Sequence, residues 1–152
     1  MTPIHEESLL DGDDANIAAE LLSIAGVNYE LMPLVRMTAP AQWRQTPIAH
    51  WPETAHVFNS VLLLFGFIPI DLHRFGLLAT GPRGFRESSN SLIMRSWRHD
   101  RTIEARETGV RVIDRVEFEP RLRLLGVLLT PVYRQVFRHR HRRLRRKYGE
   151  AS

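Results

Sequence analysis

Arg95-Ser-Trp-Arg-His-Asp-Arg101, followed by Gly109-Val-Arg-Val-Ile-Asp-Arg-Val-Glu-Phe-Glu-Pro120, are the segments that decide the fold of this chain. Both alternate polar and apolar residues at the period of two that a half-buried strand requires. They predict strands over Leu92–Arg106 and Val110–Glu119, joined by a hairpin turn at Glu107, Thr108 and Gly109. If the turn pairs Ala105 with Val110, then Arg101 stands opposite Asp114 and His99 opposite Val116. Trp97, His99, Arg101 and Ile103 share one face of the first strand, and Val112, Asp114, Val116 and Phe118 share one face of the second. An ion pair is thus expected on an otherwise apolar surface.

Upstream, Val57–Phe67 and Ile68–Ala79 are rich in β-branched, aromatic and leucine residues and divide near Gly66 and Pro69. Gly81, Pro82 and Gly84 are turn chemistry, and Phe85–Ser91 predicts a further strand. Downstream, Leu122–Tyr148 predicts a helix with a break before Pro131. Tyr133, Phe137, Leu144 and Tyr148 fall on one stripe of it, and its opposite face is almost entirely arginine. Asn28–Met37 predicts an irregular edge strand containing Pro33, and Thr38–Gln45 one or two helical turns capped by Thr38. Asn16–Ile24 predicts a short helix stopped by Gly26. Residues 1–15 predict a flexible acidic arm.

The chain has 152 residues, 43% of them hydrophobic, which is the size of one ordinary domain. With no cysteine, disulfides, thiolate metal sites and a cysteine nucleophile are excluded. The net charge of +4 is unevenly spread: Met1–Glu30 carries seven acids and no Lys or Arg, whereas Arg134–Lys147 carries eight basic residues. The start shows no signal-peptide pattern, and the longest apolar run, Val61–Ile70, is too short for a membrane-spanning helix. A cytoplasmic protein is expected.

This order of elements resembles the helix-grip fold of the SRPBCC superfamily, which includes START domains, polyketide cyclases and plant pathogenesis-related allergens. The two strand segments above are similar to the last two strands of bacterial ligand-binding members, and Phe137-Arg-His-Arg-His-Arg-Arg-Leu144 is similar to their typical ending. The resemblance implies an α+β helix-grip domain over residues 27–149, a curved antiparallel sheet wrapped around a long C-terminal helix, preceded by an acidic arm over 1–26. It also implies a cavity for a small hydrophobic, lipid-like or polycyclic ligand.

Trp97, His99, Arg101, Ile103, Val112, Asp114, Val116, Phe118 and Phe137 are then the expected ligand-binding residues, with His99, Arg101 and Asp114 orienting a polar group. The alternative for these three is that they satisfy one another in the core, as buried charges normally do. The same alternatives hold for Val61–Phe75, as cavity wall or as ordinary core. Binding or carriage without catalysis is the leading expectation. A cyclase, aromatase or dehydratase is the alternative, with His99 and Asp114 the candidate acid and base. No metal or cofactor is expected, since the histidine spacings lack the i, i+4 ligand pattern. Arg138, Arg142 and Arg145 offer a third reading, an anionic-surface or nucleic-acid binder through the Arg-rich C-terminal helix. Against it, the acidic N-terminal segment could fold back over that face. Nucleic acid is the less expected partner of that reading, because no exposed aromatic residues interleave with the arginines.

Overall fold

The computed structural model describes residues 3–151; Met1, Thr2 and Ser152, the ends of the expected arm and tail, lie outside the described residues. Alternation builds an antiparallel sheet from β1 (Ile4–Leu10), β2 (Val35–Met37), β3 (Phe58–Leu64), β4 (Ile68–Phe75), β5 (Leu77–Gly81), β6 (Gly84–Ser91), β7 (Met94–Arg106) and β8 (Gly109–Pro120). Its order is β1-β8-β7-β6-β4-β3-β2, with β5 also on β6. The long helix α4 (Arg123–Tyr148) packs on β1, β8 and the short helix α2 (Ile24–Leu31). This is a helix-grip fold.

β4 and β5 run on from each other along β6, bending at Gly76. A Cβ there would meet the carbonyl oxygens of Ala55 at 2.4 Å and Ser88 at 2.6 Å, so this close approach admits only glycine. The β7–β8 register pairs Ala105 with Val110 and Arg101 with Asp114, as counting back from the turn predicts.

Several expectations are corrected. The acidic arm is the edge strand β1, which pairs with β8 from Ile4↔Val116 to Leu10↔Val110. Ile4, Ser8 and Leu10 are buried on its inner face, so alternation within Ile4–Leu10 outweighs local acidity. The short helix is α1 (Asp14–Leu21), capped by Asp13 rather than Asn16. Gly26 lies inside α2 rather than ending α1, and Ser23 caps that helix. Asn28–Leu31 is therefore helical, and only Val35–Met37 of the expected strand is strand. In the region of Thr38–Gln45, α3 (Ala41–Arg44) begins after Pro40, and the Thr38 hydroxyl instead receives the Val61 N–H at 2.9 Å. Finally, α4 is unbroken at Pro131. The carbonyl that Pro131 leaves without a donor is that of Val127, at an exposed position where water can satisfy it.

The core has two parts. One joins α1 and α2 to Leu10, Phe58, Phe75, Phe85, Ile103, Val110, Val112 and Leu144. The other gathers Ile4, Met94, Trp97, Val116, Phe118 and Phe137, with Ile93, Leu129 and Tyr133 against them.

Candidate functional site

Arg101 lies at the centre of the interior. Its Nε and Nη2 donate to Asp114 Oδ1 and Oδ2 at 2.8 and 2.7 Å, and its Nη1 and Nη2 donate to Glu30 Oε2 and Oε1 at 2.7 and 2.6 Å. Four of its five N–H groups are engaged by these two carboxylates. Arg140 Nε adds a bond to Glu30 at 3.1 Å. Asp114 also binds His99 Nε2 at 2.7 Å and His141 Nε2 at 2.8 Å. His141 Nδ1 meets Ser8 Oγ at 2.6 Å, and Ser8 accepts from Arg145 at 3.0 Å. On the other side, His99 Nδ1 stands 3.7 Å from Glu87, whose Oε2 binds His73 Nε2 and the Ser89 hydroxyl, each at 2.6 Å.

Burial opposes charge on Asp114 and Glu30, yet the Arg101 guanidinium outweighs it, with help from His141 and His99 at Asp114 and from Arg140 at Glu30. It holds Asp114 well below the usual carboxylate range and lowers Glu30. Burial likewise opposes charge on Glu87, but attraction and hydrogen bonds from His73 and His99 bring it to about 2. His99 is raised: burial works against its charge, while Asp114 and then Glu87 overcome that penalty.

All nine expected ligand-binding residues line this interior and are buried. Ile103 and Val112 pack with the α1–α2 core, and Trp97, Val116, Phe118 and Phe137 with the other. The polar groups of His99, Arg101 and Asp114 are engaged by protein partners, with relative exposures of 4%, 1% and 1%. Glu30, Arg140, His141, Glu87 and His73 complete the cluster and are absent from the sequence expectation. Glu30 is missed because Asn28–Met37 reads as strand. The signal for it is the spacing of Ile24, Val27 and Leu31 after Ser23, which marks a capped helix with Glu30 on its buried side.

The anion-surface residues are distributed otherwise. Arg138 and Arg142 are exposed on α4, Arg138 with Glu6 at 3.5 Å. Arg145 is half-buried between Ser8 and Glu150. The acidic first strand thus partly screens this face, and Arg140 turns inward to Glu30.

The end of the grip away from the β7–β8 turn is bounded by a circuit of hydrogen-bonded junctions, one through a side chain and three through the backbone. His139 of α4 bonds the Met32 carbonyl at 2.7 Å, and the Leu34 carbonyl takes the Phe65 N–H at 2.8 Å. The β3–β4 hairpin leads on to Leu72, whose carbonyl takes the Leu92 N–H at 3.3 Å. The Ile93 carbonyl takes the Arg121 N–H at 2.9 Å, which returns the circuit to α4. Of the twelve exposed large apolar side chains among the described residues, only Leu78 lies off this rim. The other eleven are Met32, Phe65, Phe67, Ile68 and Ile70, Leu92, and Leu122, Leu124, Val127, Leu128 and Val132. The expectation of ordinary core is therefore corrected for Val61–Ile70: Val61–Leu64 is half-buried outside both core clusters, and Phe65, Phe67, Ile68 and Ile70 are exposed rim.

Next to the rim stand aromatic groups: Tyr133 lies 5.0 Å from Trp97 and 5.3 Å from Phe118, and His73 packs edge-on to Trp97 at 6.2 Å. Burial, then the Asp71 charge, pushes Tyr133 up to about 12. Ser60 pairs with His73 across β3–β4 and is fully buried, and its hydroxyl has no hydrogen-bond partner. A polar depression of about 540 Å³ lies at the opposite end, beside the β7–β8 turn. Among the described residues no group of three or more His, Asp or Glu side chains is arranged to hold a metal, and no helix is long and apolar enough to cross a membrane.

Solved structures share this fold at low identity. Protein CV1439 from Chromobacterium violaceum is 10% identical, with 98% of this chain and 99% of that one covered at a TM-score of 0.65. Ara h 8.0201 is 12% identical, covering 94% and 97%, at 0.56. DynU16, a protein of the dynemicin biosynthetic locus, is 8% identical at 0.59; the match covers 99% of this chain and 49% of DynU16. At such identities the likeness carries the fold alone. A search of curated protein sequences returns no match. Residues 8–148, from the middle of β1 to the end of α4, match one family over nearly the whole chain. The chain belongs to the family described as Domain of unknown function (DUF8410).

Proposed function

We propose that the protein binds a small apolar ligand at the open end of the grip, between the first half of α4 and the β3–β4 hairpin. The observation that carries this reading is the closed rim of exposed apolar side chains beside Trp97, Phe118 and Tyr133. Solvated apolar side chains concentrated around one opening give an apolar molecule surface to cover, at about 25 cal/mol per Å². The interior network has a different part in this reading. Its charges neutralise one another and brace α2 and α4 against β7 and β8, so the ligand lies nearer the rim than Arg101. DynU16, from a biosynthetic locus, shares the architecture and is compatible with a small-molecule role.

A catalytic use of the same end is the second reading, favoured by the His73–Glu87 pair beside Trp97. Here His73, rather than His99 or Asp114, is the group placed for proton transfer.

The test is to denature the protein purified from cell extract and identify released apolar compounds by mass spectrometry. In parallel, the ligand-free protein is titrated with anilinonaphthalene sulfonate. Recovery of a defined compound that displaces the probe, with both weakened by Leu129→Glu, is expected. Protein that carries nothing and binds no probe overturns the reading. Turnover of a recovered compound that is lost in His73→Gln would assign the catalytic role.

A further inference from the structure

We infer that the rim is a docking surface for an anionic lipid bilayer, a role that does not depend on the ligand reading. Its side chains come from four separate segments, the α2–β2 connection, the β3–β4 hairpin, the β6–β7 turn and the start of α4, rather than from one flat face. The tip of the β3–β4 hairpin carries Phe65 and Phe67 around Gly66, and the β6–β7 turn carries Leu92. On α4, Leu124, Val127, Leu128 and Val132 follow helical spacing and are exposed, while Leu129 and Tyr133 pack inward against the core. A deformable interface can seat all of these at once, with aromatic and leucine side chains at the boundary between headgroups and acyl chains.

Charge selects the partner. From Arg121 to Gly149 the sequence contains no Asp or Glu. Arg121 and Arg123 are exposed at the start of α4, and among the described residues neither has a carboxylate within ion-pair distance. Arg121 Nε instead donates to the Ser91 carbonyl at 3.0 Å, which fixes it on the rim. Two acids on this end are already engaged: Asp71 is buried and accepts from the Leu72 and Ile93 N–H groups, and Glu119 pairs with Arg95 at 3.3 Å. Farther along the outward stripe of α4, the apolar positions give way to exposed Arg138, Arg142 and Arg146. An apolar end collared by cations complements negatively charged headgroups. A second copy of the chain does not fit as well. A two-fold interface centred on this end would bring the exposed arginines of one copy towards those of the other.

The test is co-sedimentation of the full chain with vesicles of phosphatidylcholine alone and of phosphatidylcholine with about one third phosphatidylglycerol. Binding to the anionic vesicles is expected, weaker by at least about tenfold without phosphatidylglycerol and falling with added salt. Arg121→Gln and Arg123→Gln should each weaken it by about fivefold. Leu124→Gln with Leu128→Gln should abolish it without altering the circular dichroism spectrum, since both side chains are solvated. Arg106→Gln, at the opposite end, is the control expected to bind as the parent does. No sedimentation with either vesicle, or unchanged sedimentation of the leucine variant, overturns the proposal. So does a stable dimer, seen by analytical ultracentrifugation, that the leucine substitutions dissociate.

Discussion

Arg101 and Asp114 face each other from neighbouring strands and close a two-pronged ion pair, with N–O distances of 2.8 and 2.7 Å, in the sealed interior of the grip. Glu30 occupies the other side of the same guanidinium, so one arginine joins α2 to the β7–β8 hairpin. A desolvated cation held by two carboxylates is costly to disturb, because removing it strands both acids.

Arg101→Met should therefore destabilise the protein by about 3–5 kcal/mol at neutral pH, read from urea unfolding. The loss should shrink as pH falls and Glu30 and Asp114 take up protons. A cost that stays the same at low pH would show that lost packing, not stranded charge, is responsible.

Stability should fall away on both sides of a mildly acidic optimum. Glu87 sits at about 2, below its ordinary 4.5, so its contribution is present above about 4.5 and is lost as pH drops towards 2, on the order of 3 kcal/mol. Asp114 and Glu30, also lowered, lose theirs in the same direction. His99 is raised above its ordinary 6.5. Its contribution is complete below that value and is lost as pH rises through the folded-state value. Unfolding midpoints measured across pH should show both limbs, and His99→Gln should flatten the alkaline one. An unchanged alkaline slope in that variant would remove His99 as its source.

Ser60→Ala should leave stability unchanged or raise it by about 1 kcal/mol, because the buried hydroxyl makes no hydrogen bond. Thermal unfolding reads this directly. A loss of more than about 1 kcal/mol would mean that the hydroxyl is satisfied in solution.

Gly76→Ala should cost about 2–3 kcal/mol or prevent folding, since its Cβ would enter the space of two backbone carbonyl oxygens. By contrast Gly81→Ala, whose Cβ meets no atom within 4 Å, should cost less than about 1 kcal/mol. Equal losses in the two variants would contradict the close approach at Gly76.

The site was legible in the sequence where local rules act. A short turn and period-two alternation fix the β7–β8 register, and with it the pairing of Arg101 with Asp114 and the burial of Trp97, Val116 and Phe118. The other half of the network was not legible as contacts. Glu30 reaches Arg101, His141 reaches Asp114 and Arg140 reaches Glu30, all from helices whose placement over the sheet is a long-range event. Tyr29 and Leu31 beside Pro33 imitate strand alternation, so the segment around Glu30 reads locally as an edge strand.

By itself, the sequence determined the antiparallel hairpins, the long amphipathic helix and the residue types that face inward, because these follow from backbone periodicity and turn chemistry between near neighbours. Only the tertiary structure decided that the acidic first segment is a strand, since β8 supplies the hydrogen-bonding edge that Ile4–Leu10 cannot supply alone. It also decided that His99, Arg101 and Asp114 bond to protein groups, and that apolar residues from Met32 to Val132 meet on one rim. Burial and charge pairing depend on which distant elements pack together, and one strand or helix read alone does not contain its partner.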